Sequence, residues 1–199
     1  MKRRSRIIRS IICCVFIVAT VLFCIWLTTP QTDPVQIFRQ AERQCLYKDS
    51  TIMGHEELFI RYDHAVLAEA NHGYLLCEWR DGYGFVSNLN YYPKQDGITT
   101  FSSDSFIGEH TTAHQSIPLF VISDNYRAVT AKVTFRDFGK SGKQTYEQDV
   151  QRSNGGYFLF HIPCDKLGCP SRLAYFEGTY SVELFDSAGN LLETYQFTQ

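Results

Sequence analysis

The most restrictive feature of this chain is an apolar stretch from Ile7 to Leu27, IIRSIICCVFIVATVLFCIWL. After Arg9 it carries no charge, and as a helix rising about 1.5 Å per residue it would match a hydrocarbon core of about 30 Å. Five basic residues stand at positions 2, 3, 4, 6 and 9, and the next one is Arg39. Because positive charge is retained in the cytoplasm, residues 1–29 are predicted to form a cytoplasmic tail and a transmembrane signal-anchor.

Two other N-terminal signals fit this stretch less well. A cleaved signal peptide has a shorter apolar region that ends in small residues, and the exit from Phe23 to Pro30 has no such pattern. A lipid anchor would need small residues ahead of Cys24, where Phe23 stands instead. We therefore expect a single-pass protein of a bacterial cell membrane, with its N-terminus inside and its C-terminal domains extracytoplasmic.

The charge of the remaining chain limits its partners. Subtracting the five basic residues ahead of the apolar stretch from the total of 19 leaves 14, against 21 acidic residues, for a net charge of −7. An acidic protein has no electrostatic reason to bind nucleic acid. Besides the membrane, the expected partner is a protein or a cell-surface glycan, and the acidic balance favours a basic or neutral one.

Four cysteines follow the apolar stretch, at Cys45, Cys77, Cys164 and Cys169. An even number in an oxidising compartment favours disulfides. A Cys164–Cys169 bridge would close a short loop in which Gly168 permits a tight turn, and Cys45 would then bond to Cys77. The alternative is four buried thiols. A zinc site is not expected, because no Cys-x-x-Cys spacing occurs.

A helix is predicted at the start of the first domain, residues 30–116. Asp33 offers an N-cap, and Pro34 suits the first helical position. Apolar residues then recur at intervals of three and four, which is typical of a helix that covers a sheet. They are Ile37, Phe38, Ala41 and Cys45. The helix is expected to end near Tyr47.

Short strands follow this helix and predict an antiparallel meander, with Asp81-Gly82 as a hairpin turn. The candidate strands are Leu58–Tyr62, His64–Glu69, Tyr74–Arg80, Tyr83–Leu89 and Ile98–Phe101. One helix followed by a meander indicates an α+β domain, in which the helix packs on one face of the sheet. The order of elements is similar to that of cystatin-like domains, although no sequence motif carries this likeness.

A second domain is predicted over residues 117–199, after the polar segment 102–116. Apolar and polar residues alternate from Val129 to Arg136, the period of a half-buried strand. The segment Gly178–Asp186, with Gly189-Asn190 after it, resembles the last hairpin of bacterial immunoglobulin-like modules. In those modules a G-x-Y-x-V-x-L strand leads through a D-x-x-G-N turn into a final strand. The resemblance implies an all-β Ig-like sandwich that binds or spaces.

Catalytic and cofactor motifs are scarce in this sequence. His110 and His114 lie four residues apart, but Glu109 precedes the first histidine, whereas the metalloprotease motif H-E-x-x-H places its glutamate directly after it. No G-x-S-x-G or S-x-x-K nucleophile motif occurs. We expect no cofactor, no metal site and no catalytic residue. An exported hydrolase with a site at His110 and His114 is the alternative.

Aromatic residues are the best candidates for binding. Trp79 and Tyr83 flank the predicted hairpin, and Tyr91 and Tyr92 follow it in an Asn-rich stretch. Such rings offer rigid contact area and can stack on sugars or receive a peptide. The sequence therefore predicts a non-catalytic binding or scaffolding protein, with a carbohydrate-binding module as a further alternative. The plainer interpretation is that these rings belong to the core and the sheet surface.

Overall fold

The computed structural model describes eight parts of the chain: residues 12–23, 33–47, 49–58, 63–80, 88–102, 116–138, 144–163 and 179–198. Residues 12–23 form helix α1, and Pro34–Gln44 form helix α2. The described strands are β1 (Thr51–Glu57), β2 (Asp63–Ala70), β3 (Gly73–Arg80), β4 (Asn88–Pro93), β5 (Ile98–Ser102), β6 (Ser116–Ser123), β7 (Thr130–Phe138), β8 (Gln144–Gln151), β9 (Tyr157–Pro163), β10 (Thr179–Phe185) and β11 (Leu191–Thr198).

The predicted transmembrane helix is not supported by this structure. Residues 12–23, the described part of the predicted span, are helical. Within the described residues, no helix combines the length and the apolar character needed to cross a membrane. Residues 1–11 and 24–32 lie outside the described parts. The prediction of a signal-anchor and of a single-pass membrane location is therefore wrong.

The described strands form three antiparallel sheets. Sheet A is a meander with the order β1-β2-β3-β4, sheet B has the order β5-β6-β9, and sheet C has the order β11-β10-β7-β8. Every paired strand in these sheets runs antiparallel to its neighbour. This β-rich arrangement is compatible with a β-sandwich.

Sheet B lies between sheets A and C. In strand β6 the residues from Ile117 to Ser123 are all buried. Ile117 and Val121 belong to the core shared with sheet C, whereas Phe120 and Ile122 belong to the core shared with sheet A. Because successive side chains of a strand point to opposite faces, this continuous apolar run fills two cores at once.

Strand β5 joins the two predicted halves of the chain. It precedes the polar segment that we predicted as a domain boundary, and it pairs with β6, with Phe101 opposite Phe120. Residues 103–115 of that segment lie outside the described residues. The same strand also contributes to both cores, because Ile98 packs toward sheet C and Phe101 toward sheet A.

Helix α2 covers one end of the other face of sheet A. It begins as its sequence predicts, because the Asp33 side chain accepts a hydrogen bond from the Val35 amide and Pro34 takes the first position. Phe38 and Ala41 are buried against strands β2 and β3, where they meet residues such as Val66. The apolar side of α2 therefore packs on the meander.

The predicted disulfide between Cys45 and Cys77 is wrong. Cys45 is the C-cap of α2 and is exposed, whereas Cys77 points into the core between α2 and sheet A. Both are thiols, and the described part of the chain contains no disulfide. Cys164 and Cys169 lie outside the described residues, so their predicted bridge is not described either. An even cysteine count gives no information about which thiols meet in space.

The two described thiols should differ sharply in reactivity. We expect a thiol-alkylating reagent added to the native protein to modify Cys45 rapidly, since its side chain is exposed, and to modify Cys77 only after denaturation. Peptide mapping by mass spectrometry without a reductant measures the extent of modification at Cys45 and at Cys77. A peptide containing Cys45 linked to Cys77 would contradict the structure.

A buried polar network fixes α2 on the sheet. Glu42 is only 4% exposed and accepts hydrogen bonds from the Ser50 amide, the Ser50 hydroxyl and Arg39, whose Nη1 lies 2.6 Å from Glu42 Oε2. Burial alone would raise the pKa of Glu42, but these hydrogen bonds and the Arg39 charge outweigh it and hold the pKa below 4.5. The network thus requires an ionised carboxylate.

Replacing this carboxylate should destabilise the fold. We expect Glu42→Gln to lower the free energy of unfolding by about 2 kcal/mol, because the buried donors lose a charged acceptor. A folded-state pKa below 4.5 means that this contribution is complete above pH 4.5 and is lost as the pH falls through the lowered pKa. Urea titrations at about pH 7 and about pH 3 test both expectations. Glu69→Gln, at an exposed position, is the control, and an equal effect of the two variants would contradict the network.

Candidate functional site

Trp79 lies in a stack of three rings on sheet A, which we call the His–Trp cluster (His55, His64 and Trp79). The centroid of Trp79 is 5.8 Å from that of His55 and 5.4 Å from that of His64, with interplanar angles of 14° and 20°. His55 Nε2 and His64 Nδ1 are 3.3 Å apart. His55 is exposed, and the other two rings are half-buried.

The strand register explains this cluster. His64 lies directly opposite Trp79 on β3, and His55 lies opposite Val66, which is two residues from His64 and so faces the same side. Val66 belongs to the core under α2. The His–Trp cluster therefore lies on the same face of sheet A as helix α2. It occupies strand positions next to those that the helix buries.

The electrostatic surroundings of His55 favour its neutral form. Although the side chain is exposed overall, partial desolvation of its ring lowers the pKa of His55 below the ordinary 6.5, and the neighbouring His64 ring lowers it further, while Glu57 and Glu56 act in the opposite direction. Since the pKa is lowered, His55 stays neutral at physiological pH. A neutral imidazole keeps one unprotonated nitrogen as a hydrogen-bond acceptor or metal ligand.

The other predicted binding residues do not form one platform with Trp79. Tyr91 is 39% exposed and stacks on Tyr47, with a centroid distance of 5.8 Å. Tyr92 stacks at 4.1 Å on Phe101 and donates a hydrogen bond to the Ser102 carbonyl, so it belongs to the core between sheets A and B. Tyr83 lies outside the described residues.

The predicted alternative of a histidine metal site is not described either. His110 and His114 fall in residues 103–115, outside the described parts of the chain. Among the described residues, no group of three or more His, Cys, Asp or Glu side chains is placed to enclose a metal ion. The geometry of the described chain thus offers no closed metal site.

Glu56 and Tyr157 form a polar contact between sheets A and B that sequence reasoning missed. The Tyr157 hydroxyl donates a hydrogen bond to Glu56 Oε1, and a Cβ atom at Gly54 would overlap that hydroxyl. Burial and the Glu56 carboxylate both raise the pKa of Tyr157, so the phenol stays protonated at neutral pH. A permanently protonated donor is a poor nucleophile, and the pair serves as a structural link between the sheets.

A second surface feature is the loop between β6 and β7, residues 124–129, which we call the Tyr126 loop. The Tyr126 side chain is 85% exposed. The loop beneath it is tightly bonded: the Asn125 side chain accepts a hydrogen bond from the Arg127 amide and donates one to Glu193. An exposed tyrosine is therefore presented on a rigid backbone.

Arg152, in the connection between β8 and β9, holds the Tyr126 loop in place through hydrogen bonds to its backbone. Its guanidinium donates hydrogen bonds of 3.0 to 3.2 Å to the carbonyl oxygens of Ser123, Asn125 and Ala128, and its Nε donates to the Gly156 carbonyl. The same guanidinium lies 5.7 Å from the centre of the Phe158 ring. A single side chain thus bonds two connections of the fold together.

Loss of this guanidinium should be costly. We expect Arg152→Met, which keeps an unbranched stem but no donor, to lower the free energy of unfolding by about 3 kcal/mol, because four carbonyl oxygens lose a charged donor. Arg127→Met, at an exposed position of the same loop, is the matched control and should change stability by less than about 0.5 kcal/mol. Urea unfolding measures both, and similar values for the two variants would refute the role of Arg152.

None of the protein-family models, curated proteins or solved structures compared with this chain matches it. The structure gathers His55, His64 and Trp79, which the sequence treated as unrelated, and exposes Tyr126, which the sequence did not single out. The turn residues Asp124-Asn125, just ahead of the strand predicted from Val129, were the available signal for the Tyr126 loop.

Proposed function

We propose that this protein is a non-catalytic binding protein, and that it contacts a protein partner through the Tyr126 loop. The observation that carries the proposal is the 85% exposure of Tyr126 on a loop held by Arg152 and Asn125. Tyrosine is enriched among the residues that dominate interface energies. Binding through a rigid loop avoids the entropy cost of ordering it.

The scaffold of this loop, in this proposal, is an immunoglobulin-like sandwich built from β5 to β11. Support comes from the strand orders, three strands in sheet B and four in sheet C, which equal the seven strands and two sheets of a constant-type immunoglobulin domain. Consecutive strands β6 and β7 lie in different sheets, as do β8 and β9. Loops at the ends of such sandwiches commonly carry binding residues.

The acidic balance of the chain after residue 9, a net charge of −7, narrows the class of partner. Like charges repel, so a basic or neutral protein is favoured over an anionic surface polymer. Within the Tyr126 loop itself, Arg127 is the exposed neighbour of Tyr126. Tyrosine beside arginine is a combination enriched at protein interfaces.

The test compares two exposed tyrosines. After the partner of the unmodified chain has been isolated by cross-linking and mass spectrometry, its dissociation constant is measured for Tyr126→Ala and Tyr91→Ala. We expect Tyr126→Ala to weaken binding about 30-fold, as for an interface hot spot of about 2 kcal/mol. Tyr91→Ala should bind within about twofold of the unmodified chain, like most contacts outside a hot spot.

Other outcomes would decide against this surface. Equal affinity of Tyr126→Ala and the unmodified chain would refute the Tyr126 loop as the contact. Weaker binding by Tyr91→Ala alone would place the contact on sheet A. A glycan as the isolated ligand, retained by Tyr126→Ala, would favour the carbohydrate-binding alternative.

A further inference from the structure

We propose that the His–Trp cluster is an open binding site for a divalent transition-metal ion, with His55 Nε2 and His64 Nδ1 as its two protein ligands. Imidazole is a preferred ligand of Zn²⁺, Ni²⁺ and Cu²⁺. This inference rests on the two histidines and is independent of the proposed partner contact at the Tyr126 loop.

The distance between the two nitrogens suits a shared metal ion. With metal–nitrogen bonds of about 2.0–2.1 Å at the tetrahedral angle, two ligand nitrogens lie about 3.3–3.4 Å apart. His55 Nε2 and His64 Nδ1 are 3.3 Å apart without any movement of the backbone. In the metal-bound form both of these nitrogens are unprotonated, and the opposite nitrogen of each ring carries its proton.

The sheet holds both rings in place. His55 and His64 lie on adjacent antiparallel strands, and Trp79 stacks on each of them. Two ligands fixed in advance lose little entropy when the ion binds, so the second imidazole binds in effect intramolecularly. A pair on rigid strands is also more precisely placed than a pair on a loop.

Charge and exposure at the cluster suit a cation. Glu57 lies directly across from His64 and therefore on the same face of the sheet, and its side chain is exposed. His55, which is exposed, leaves the site open to solvent, so water can fill the remaining coordination positions while the Glu57 carboxylate supplies negative charge nearby.

Trp79 provides a local readout. The chain has two tryptophans, so Trp26→Phe in the full-length protein leaves Trp79 as the sole tryptophan, whose emission is separated from that of the 12 tyrosines by selective excitation. We expect Cu²⁺ to quench its fluorescence with saturation at neutral pH. His55→Ala and His64→Ala should each raise the half-saturating Cu²⁺ concentration by at least about tenfold, since each removes the second, effectively intramolecular ligand.

Two controls separate this site from other histidines. His72→Ala changes an exposed histidine in the turn between β2 and β3, and the double variant His110→Ala, His114→Ala removes the pair that the sequence singled out. Both should leave the half-saturating concentration unchanged. Unchanged quenching in His55→Ala and His64→Ala, or a loss of quenching in either control, would overturn the proposal.

A second measurement applies even if a histidine variant fails to fold. Zn²⁺ that binds only the native state must raise the unfolding temperature of the unmodified chain in proportion to the logarithm of its excess. We expect this rise at about pH 7.5. An unfolding temperature that does not respond to Zn²⁺ at this pH would refute the site.

Discussion

The burial of sheet B on both of its faces is the constraint on which the rest of the fold depends. Phe158 and Phe160 of β9 pack toward sheet C, while Tyr157 and Leu159 of the same strand pack toward sheet A. A register slip of one residue would exchange the two sets of side chains and spoil both cores. Sheets A and C are therefore held in place through the alternation of a single three-stranded sheet.

Polar side chains add hydrogen bonds between the elements that this apolar packing brings together. The Tyr157 hydroxyl links sheet B to Glu56 of sheet A, and Arg152 joins the β8–β9 connection to the β6–β7 connection. Each of these contacts satisfies groups that the packing has removed from water, where an unpaired polar atom is costly. The backbone that carries the exposed Tyr126 is therefore held in place by Arg152, which itself packs against the core that fixes the sheets.

The two errors of sequence reasoning have a common physical origin. The apolar composition from Ile7 to Leu27 describes the solvent that these side chains prefer, but it does not by itself produce a membrane-spanning helix, and none is found among the described residues. An even number of cysteines is likewise typical of proteins in an oxidising compartment, but it does not bring Cys45 close to Cys77 in space. Both predictions derived a spatial arrangement from composition.

The sequence by itself determined the local elements: the Asp33 cap and the helical period of α2, and the alternation that makes β7 a strand. These depend on interactions within a few residues. Only the tertiary structure decided which side chains meet, such as Tyr157 with Glu56 across sheets or His55 with His64 and Trp79 across three strands. Strand order and register determine these side-chain contacts. Order and register follow in turn from the burial of whole sheet faces, which no local sequence pattern encodes.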